Sequence, residues 1–89
     1  MAAVKYARTD RFKKAAAKLP REIQDKAAKA FTLFKDNPRH PSLGVKRVQG
    51  MPDVWEGRID LSYRFTFHYE GDMCVFRNIG PHEIVEREP

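Results

Sequence analysis

The chain has 89 residues, with 17 Lys and Arg against 12 Asp and Glu, and a formal net charge of +5. This length predicts one domain, residues 1–89, with a modest hydrophobic core. No apolar stretch approaches the ~20 residues of a membrane span. A single cysteine excludes an internal disulfide and a cysteine-based zinc site. The first residues lack the apolar core of a secretory signal, so we expect a cytoplasmic protein.

The charge is concentrated in the first half of the chain. Residues 1–44 hold 11 basic and 4 acidic side chains, a net of +7, whereas residues 45–89 hold 6 basic and 8 acidic ones, a net of −2. A basic half predicts an anionic partner, either a nucleic acid or an acidic protein. A well-solvated helical surface would have the same composition, so charge alone leaves both interpretations open.

The first half has the periodicity of a helical hairpin. From Phe12, apolar residues recur at i, i+3, i+4 and i+7, and Thr9 or Asp10 can cap this helix by accepting a free backbone N–H. Pro20 cannot continue the helix but suits the first turn of the next one. A second apolar stripe follows and ends by Asn37. The pattern predicts two helices with one shared apolar side.

Strand-like patterns lie on either side of this hairpin. A short strand ahead of it is predicted by Val4 and Tyr6, which alternate with charged residues. A loop rich in proline and glycine covers residues 38–44. Four further strands are predicted at residues 45–49, 54–59, 63–70 and 73–79. We therefore expect an α+β fold, in which the N-terminal helical hairpin packs on a small antiparallel sheet.

The turns between these strands predict which residues share a face. A two-residue loop before the last strand pairs Thr66 with Arg77, and a three-residue loop before the third pairs Arg58 with Arg64. One face is then aromatic and packs on the helices. The other face is polar and holds Glu56, Arg58, Arg64, Thr66, His68 and Arg77.

The polar face has the groups that metal-free RNA cleavage requires. Like charges opposite one another, such as Arg58 and Arg64, destabilise a sheet by up to about 1 kcal/mol, which is better explained if they bind phosphate than if the face is only solvated. His82 can protonate a leaving oxygen, although a lone histidine is more often structural. Glu56 is the candidate base, but neighbouring arginines weaken a carboxylate in that role.

No cofactor is expected from the sequence. The three histidines, His40, His68 and His82, lie far apart and have no metal-ligand spacing. The glycines are dispersed and form no phosphate-binding loop. We therefore expect the chemistry to depend on side chains alone.

Several segments, in this order along the chain, resemble the RelE/ParE toxin superfamily. They are NPR at 37–39, VKRVQGMPDVW at 45–55, YRFTF at 63–67 and RNIGPHE at 77–83. The resemblance covers nearly the whole chain and is fairly specific for the superfamily, less so for a branch of it. It implies a curved antiparallel sheet packed on an N-terminal helical hairpin.

The resemblance also implies roles for individual residues. Arg64 matches an arginine of the superfamily that stabilises the transition state. Arg58 matches a basic residue that RelE-like toxins have on the preceding strand. His82 matches the general acid of histidine-bearing members, and Lys46 and Arg47 match cations that contact RNA. The polar face adds Arg77 and Thr66 as candidate RNA contacts. The chain departs from the RelE pattern at Glu56, which replaces a lysine, and in its C-terminal tail, which lacks a catalytic tyrosine.

RelE-like members of this superfamily are toxins of type II toxin–antitoxin pairs that enter the ribosomal A site and cleave mRNA without metal. We therefore expect a ribosome-dependent endoribonuclease whose partners are a cognate antitoxin, the ribosome and mRNA, with no membrane and no small-molecule cofactor. Two alternatives are a ParE-like, non-enzymatic inhibitor of DNA gyrase and an inactive toxin-fold protein that only binds an antitoxin.

Overall fold

A computed structural model describes residues 5–89, in which two helices pack on one side of a five-stranded sheet. The helices of the hairpin are α1 (Asp10–Ala17) and α2 (Arg21–Asp36). The strands are β1 (Lys5–Arg8), β2 (Lys46–Val48), β3 (Met51–Arg58), β4 (Tyr63–Glu70) and β5 (Met73–Pro81). A 3₁₀ turn at Pro41–Leu43 and a short helix α3 (Ile84–Arg87) complete the elements. The α+β fold class is confirmed.

Capping and side-chain hydrogen bonds explain the limits of the hairpin. The Thr9 hydroxyl accepts the N–H of Phe12 at 3.0 Å, which confirms the predicted cap of α1. Pro20 precedes the first residue of α2, where its missing N–H costs nothing. Gln24 of α2 donates to the carbonyl of Leu19 at 3.1 Å. This bond ties the second helix to the end of the first.

The core is a cluster of aromatic rings between α2 and the sheet. Phe34, which is 2% exposed, lies 5.6 Å from Phe65, 4.9 Å from Phe67 and 5.7 Å from Phe76, measured between ring centroids. The three contacts are edge-to-face, the geometry that aromatic quadrupoles favour. The predicted aromatic face of β4 and β5 therefore packs on the helices.

The sheet is mixed, with strand order β1-β5-β4-β3-β2. The pairs from β2 to β5 are antiparallel, as expected, but β1 is parallel to β5. The chain passes through both helices and three strands before it returns to β1, and such a long connection allows parallel pairing. Tyr6 lies in β1, whereas Val4, its predicted companion, lies outside the described residues.

The register agrees with one predicted pairing and corrects the other. Arg58 pairs with Arg64, as the three-residue loop predicts. The pairing of Thr66 with Arg77 is wrong, because Thr66 pairs with Asn78. The register shifts between Thr66 and Phe67, so Arg77 is the extra residue of a β-bulge and has no partner in β4.

Two elements were not predicted. The 38–44 loop contains the 3₁₀ turn, which buries Leu43 to 2% exposure, and the C-terminal tail contains α3. Neither segment has enough residues to show a period. Within residues 5–89, no helix is both long and apolar enough to cross a membrane.

Asp60 organises the loop between β3 and β4. Its carboxylate accepts the N–H groups of Ser62 at 2.8 Å and Tyr63 at 2.9 Å, and Lys26 of α2 lies 3.4 Å away. Burial would raise the pKa of Asp60, but these two N–H groups and Lys26 outweigh burial and lower it. The loop is thus tied to the helical layer through one carboxylate.

The Asp60→Asn variant should lose about 1 kcal/mol of unfolding free energy at neutral pH. Because the folded-state pKa of Asp60 is lowered, its contribution is fully present above the pKa of an unfolded aspartate, about 4, and is lost as the pH falls further. Urea unfolding over a pH series should therefore show the gap between wild type and variant closing in acid. A gap that is independent of pH would contradict this account.

Gly57 allows the ring of Phe65 to lie across β3. A Cβ atom at Gly57 would overlap this ring, which is fully buried and has no room to move. The Gly57→Ala variant should therefore lose about 1–3 kcal/mol of stability through overpacking. The double variant Gly57→Ala/Phe65→Leu should lose less than the sum of the single variants, as measured by urea unfolding. Additive losses would show that the two residues are not in conflict.

Candidate active site

A cleft of about 950 Å³ opens on the polar side of the sheet, beside the C-terminal segment. Its lining side chains come from β2, β3 and β4 and from the segment that follows β5. Five of the candidate site residues line it: Lys46, Arg47, Glu56, Arg64 and His82. Pairing of β2, β3, β4 and β5 brings together residues that lie up to 36 positions apart.

His82 stands at the mouth of this cleft. Pro81 ends β5 opposite Tyr63, and the N–H of His82 then donates to the carbonyl of Ser62 at 2.9 Å. Its side chain is 62% exposed, and Nε2 lies 3.8 Å from Oε1 of Glu83. The backbone of His82 is therefore fixed, while its imidazole remains accessible to a ligand that would exchange a proton with it.

Arg64 is held by one nitrogen of its guanidinium. Nη1 donates to the backbone carbonyls of Asp60 at 2.6 Å and Tyr63 at 3.0 Å. Nε and Nη2 make no hydrogen bond with any residue from 5 to 89. A guanidinium anchored in this way keeps donors for a phosphate oxygen, with little side-chain entropy left to lose on binding.

Glu56 is a buried carboxylate in the middle of the polar face. It is 8% exposed, pairs across β2–β3 with Lys46 and across β3–β4 with Thr66. It forms no hydrogen bond or ion pair with the rest of the described chain. No fully buried polar side-chain atom among the described residues lacks a partner, so the carboxylate keeps contact with the open cleft. Such a group can accept a proton from a ligand that fills the cleft.

Arg58 does not join the cleft, although its backbone pairs with Arg64. Its guanidinium packs over Gly44 and lines a separate depression with Lys26 and Lys29 of α2. Strand β2 begins only at Lys46, so no strand covers the edge of β3 at Arg58. The expectation that Arg58 and Arg64 present their charges together is therefore wrong, and the role of Arg58 stays a prediction.

The C-terminal segment covers the middle of the polar face. A main-chain oxygen of Pro89 accepts hydrogen bonds from Nε of Arg77 at 3.0 Å and from Oγ1 of Thr66 at 3.3 Å. The carbonyl of Glu88 accepts one from Nδ2 of Asn78 at 2.7 Å. Thr66 is fully buried, so it has no surface for RNA to contact in this conformation. Arg77 lies outside the cleft, because the bulge and the covering segment direct it elsewhere. The three arginines do not converge, contrary to expectation.

Sequence reasoning missed several residues of the site. Val85, Glu86 and Arg87 of the α3 segment line the cleft, but a four-residue helix has no period by which to recognise it. The alternation in β4 placed His68 on the polar face, but it gave no signal for the hydrogen bond that joins His68 to Arg77.

The remaining reactive groups are set apart from the cleft. Cys74 is fully buried, and burial raises the pKa of its thiol to about 12, so it is not a nucleophile at neutral pH. Within the part of the chain that the structure describes, no group of three His, Cys, Asp or Glu side chains is placed to hold a metal ion.

The two-layer arrangement is the fold of the RelE-like toxins, which confirms the resemblance at the level of the fold. The backbone of YafQ from E. coli BL21(DE3) superposes with a TM-score of 0.73 at 14% identity, over 91% of this chain and 96% of that one. A chain of the RelB–RelE antitoxin–toxin complex from Methanococcus jannaschii superposes with a TM-score of 0.72 at 18% identity, over 93% of this chain and 99% of that one. A chain from the intact E. coli RelBE toxin–antitoxin complex superposes with a TM-score of 0.68 at 20% identity, over 89% of this chain and 96% of that one. No protein-family model and no curated protein sequence matches.

The Asn78→Asp variant should loosen the C-terminal segment, because a carboxylate cannot donate to the carbonyl of Glu88. The loss of this bond should cost about 1–3 kcal/mol. Hydrogen exchange should become faster in Ile84–Arg87, while the amides of β4 stay protected. Asn37→Asp is the matched control, since Asn37 uses only its oxygen, which accepts the N–H of Arg39. Equal protection of α3 in both variants would refute the anchoring role of Asn78.

Proposed function

We propose that this protein is the toxin of a toxin–antitoxin pair and acts as a metal-free endoribonuclease on ribosome-bound mRNA. The observation that carries the proposal is the cleft in which His82 and Arg64 line one space with Lys46, Arg47 and Glu56. A gyrase inhibitor that acts by binding would not need an accessible imidazole beside an anchored arginine and a buried carboxylate. The RelE-like fold supports the same conclusion.

The proposed reaction uses the ribose of the substrate as the nucleophile. Glu56 accepts the proton of a 2′-hydroxyl, whose oxygen forms a bond to the adjacent phosphorus. The bond from phosphorus to the 5′-oxygen breaks, and protonated His82 gives its proton to that oxygen. The products are a 2′,3′-cyclic phosphate and a 5′-hydroxyl, so atoms and charge balance.

Arg64 has the electrostatic role in this reaction. The phosphorane carries more negative charge than the substrate phosphate, and donors fixed in advance stabilise it more strongly than mobile ones. The two carbonyls that hold Nη1 fix the guanidinium, and Nε and Nη2 are the donors for the phosphate. Lys46 and Arg47 extend the cationic wall along the substrate strand.

The proposal includes two macromolecular partners with different surfaces. The helical half, with its net charge of +7, is suited to ribosomal RNA or an acidic antitoxin. Relatives of the same fold are crystallised in RelB–RelE and DinJ–YafQ toxin–antitoxin complexes. On this basis an antitoxin would neutralise this protein as well, by binding it directly.

The test is primer extension on mRNA incubated with ribosomes and purified protein. His82→Ala and Arg64→Ala should each reduce the rate of cleavage by roughly a hundredfold or more. Matched controls are His40→Ala, in the loop beside Ser42, and Arg21→Ala, on the exposed face of α2. At saturating ribosome concentration both should cleave at the wild-type rate, because a single exposed charge on the helical half affects association with RNA more than the cleavage step.

Other results would favour the alternative functions. Equal cleavage by all four variants would refute the assigned roles. Inhibition of gyrase supercoiling without mRNA cleavage would identify a ParE-like inhibitor. Absence of both activities, with retained antitoxin binding, would identify an inactive toxin fold.

A further inference from the structure

A second cleft, of about 400 Å³, lies beside β3 and is separate from the one that holds His82. It is lined by residues of β2, β3, β4 and β5, among them Arg47, Trp55, His68, Tyr69 and Arg77. Arg47 lines both clefts. The two clefts are therefore neighbours that share the side chain of Arg47.

Arg77 is oriented in this second cleft by two bonds. Nη1 lies 2.9 Å from Nδ1 of His68, and Nε donates to a main-chain oxygen of Pro89 at 3.0 Å. Nη2 has no partner among residues 5–89. As the bulge residue, Arg77 is also free of a cross-strand neighbour that would cover it. Its guanidinium is thus fixed and keeps donors for an anion.

The bond to Arg77 determines the tautomer of His68. A guanidinium only donates, so Nδ1 of His68 must accept and its ring proton must be on Nε2. Nε2 then donates this N–H to Oε2 of Glu70, which lies 2.7 Å away. Glu70 is on the exposed end of β4, with 60% of its side chain accessible. A chain of two hydrogen bonds therefore runs from Glu70 through His68 to Arg77.

The other wall of the cleft is aromatic. The guanidinium carbon of Arg47 lies 5.0 Å from the ring centroid of Trp55, and Tyr69 is 41% exposed. Aromatic rings with adjacent arginines are the usual platforms for unpaired nucleobases. The carboxylate of Asp53 also lines the cleft and offsets part of the positive charge. This charge balance suits one phosphodiester better than a polyphosphate.

We propose that the second cleft is a subsite for a nucleotide that flanks the scissile bond, with Arg77 on its phosphate, Trp55 and Arg47 against its base, and His68 as the positioning residue of Arg77. The inference rests on the proposed function for the identity of the ligand. It assigns Trp55, His68 and Glu70 a part in substrate binding.

Trp55 is the sole tryptophan of the chain, so its fluorescence reports on this cleft directly. The probe is a short single-stranded RNA with 2′-O-methyl riboses, which has no free 2′-hydroxyl to attack the phosphate. Titration should quench Trp55 and give a dissociation constant that rises with salt. Arg77→Gln and His68→Leu should each weaken binding about tenfold, as expected for a charge-assisted hydrogen bond.

Two variants separate positioning from charge. His68→Gln keeps an acceptor for Arg77 and should bind the probe close to the wild-type affinity. Glu70→Ala removes a negative charge, which by itself would strengthen RNA binding. It also removes the acceptor that holds Nε2 of His68 in place, so the imidazole orients Arg77 less firmly and we expect weaker binding. Arg21→Gln removes the same charge as Arg77→Gln at an exposed site on α2 and should have little effect.

Each outcome decides one part of the proposal. Failure of the probe to quench Trp55, or quenching that is insensitive to Arg77→Gln, would overturn the subsite. Stronger binding by Glu70→Ala would overturn the positioning role of His68. Quenching as expected without cleavage of ribosome-bound mRNA would retain the subsite and refute the nuclease. Cleavage of ribosome-bound mRNA without quenching of Trp55 would retain the nuclease and refute the subsite.

Discussion

The structure depends on the packing of one face of β4 on α2. Phe65 and Phe67 point to the helices because Phe34 fills the space between them, and residues on a strand alternate between its faces. This contact fixes Arg64, Thr66 and His68 on the opposite side of the sheet. A register slip of one residue would bury these polar groups and expose the rings, so the core also determines the site.

The β-bulge at Arg77 changes what the opposite face can do. Without it, Arg77 would lie across from Thr66, under the segment that ends at Pro89. With it, Asn78 takes that place and binds the carbonyl of Glu88, while Arg77 reaches His68. One extra residue in β5 thus separates Arg77 from the cleft that holds Arg64, and Arg47 lines both clefts.

The sequence predicted those features that depend on periodicity and turn chemistry. The helical stripe of α2, the alternation in β4 and the three-residue loop before Tyr63 gave the fold class and the pairing of Arg58 with Arg64. The bulge has no such signal, because the two-residue turn before Met73 is compatible with an unbroken ladder. The direction of the Arg58 side chain could not be predicted either, because it depends on where the neighbouring strand β2 begins.

The sequence predicted which residues belong to the candidate site better than it predicted how they are arranged. Glu56 illustrates the difference. Its alternation with Trp55 placed it on the polar face, but its burial follows from Lys46 and Thr66 on both neighbouring strands and from the segment that crosses the face. The carboxylate faces the open cleft and has no hydrogen-bond partner among the described residues. A ligand that brings its own hydrogen-bond donor, such as a ribose hydroxyl, restores the missing contact. Under the proposed function, the same lack of a protein partner leaves Glu56 available to a hydroxyl donor of the RNA.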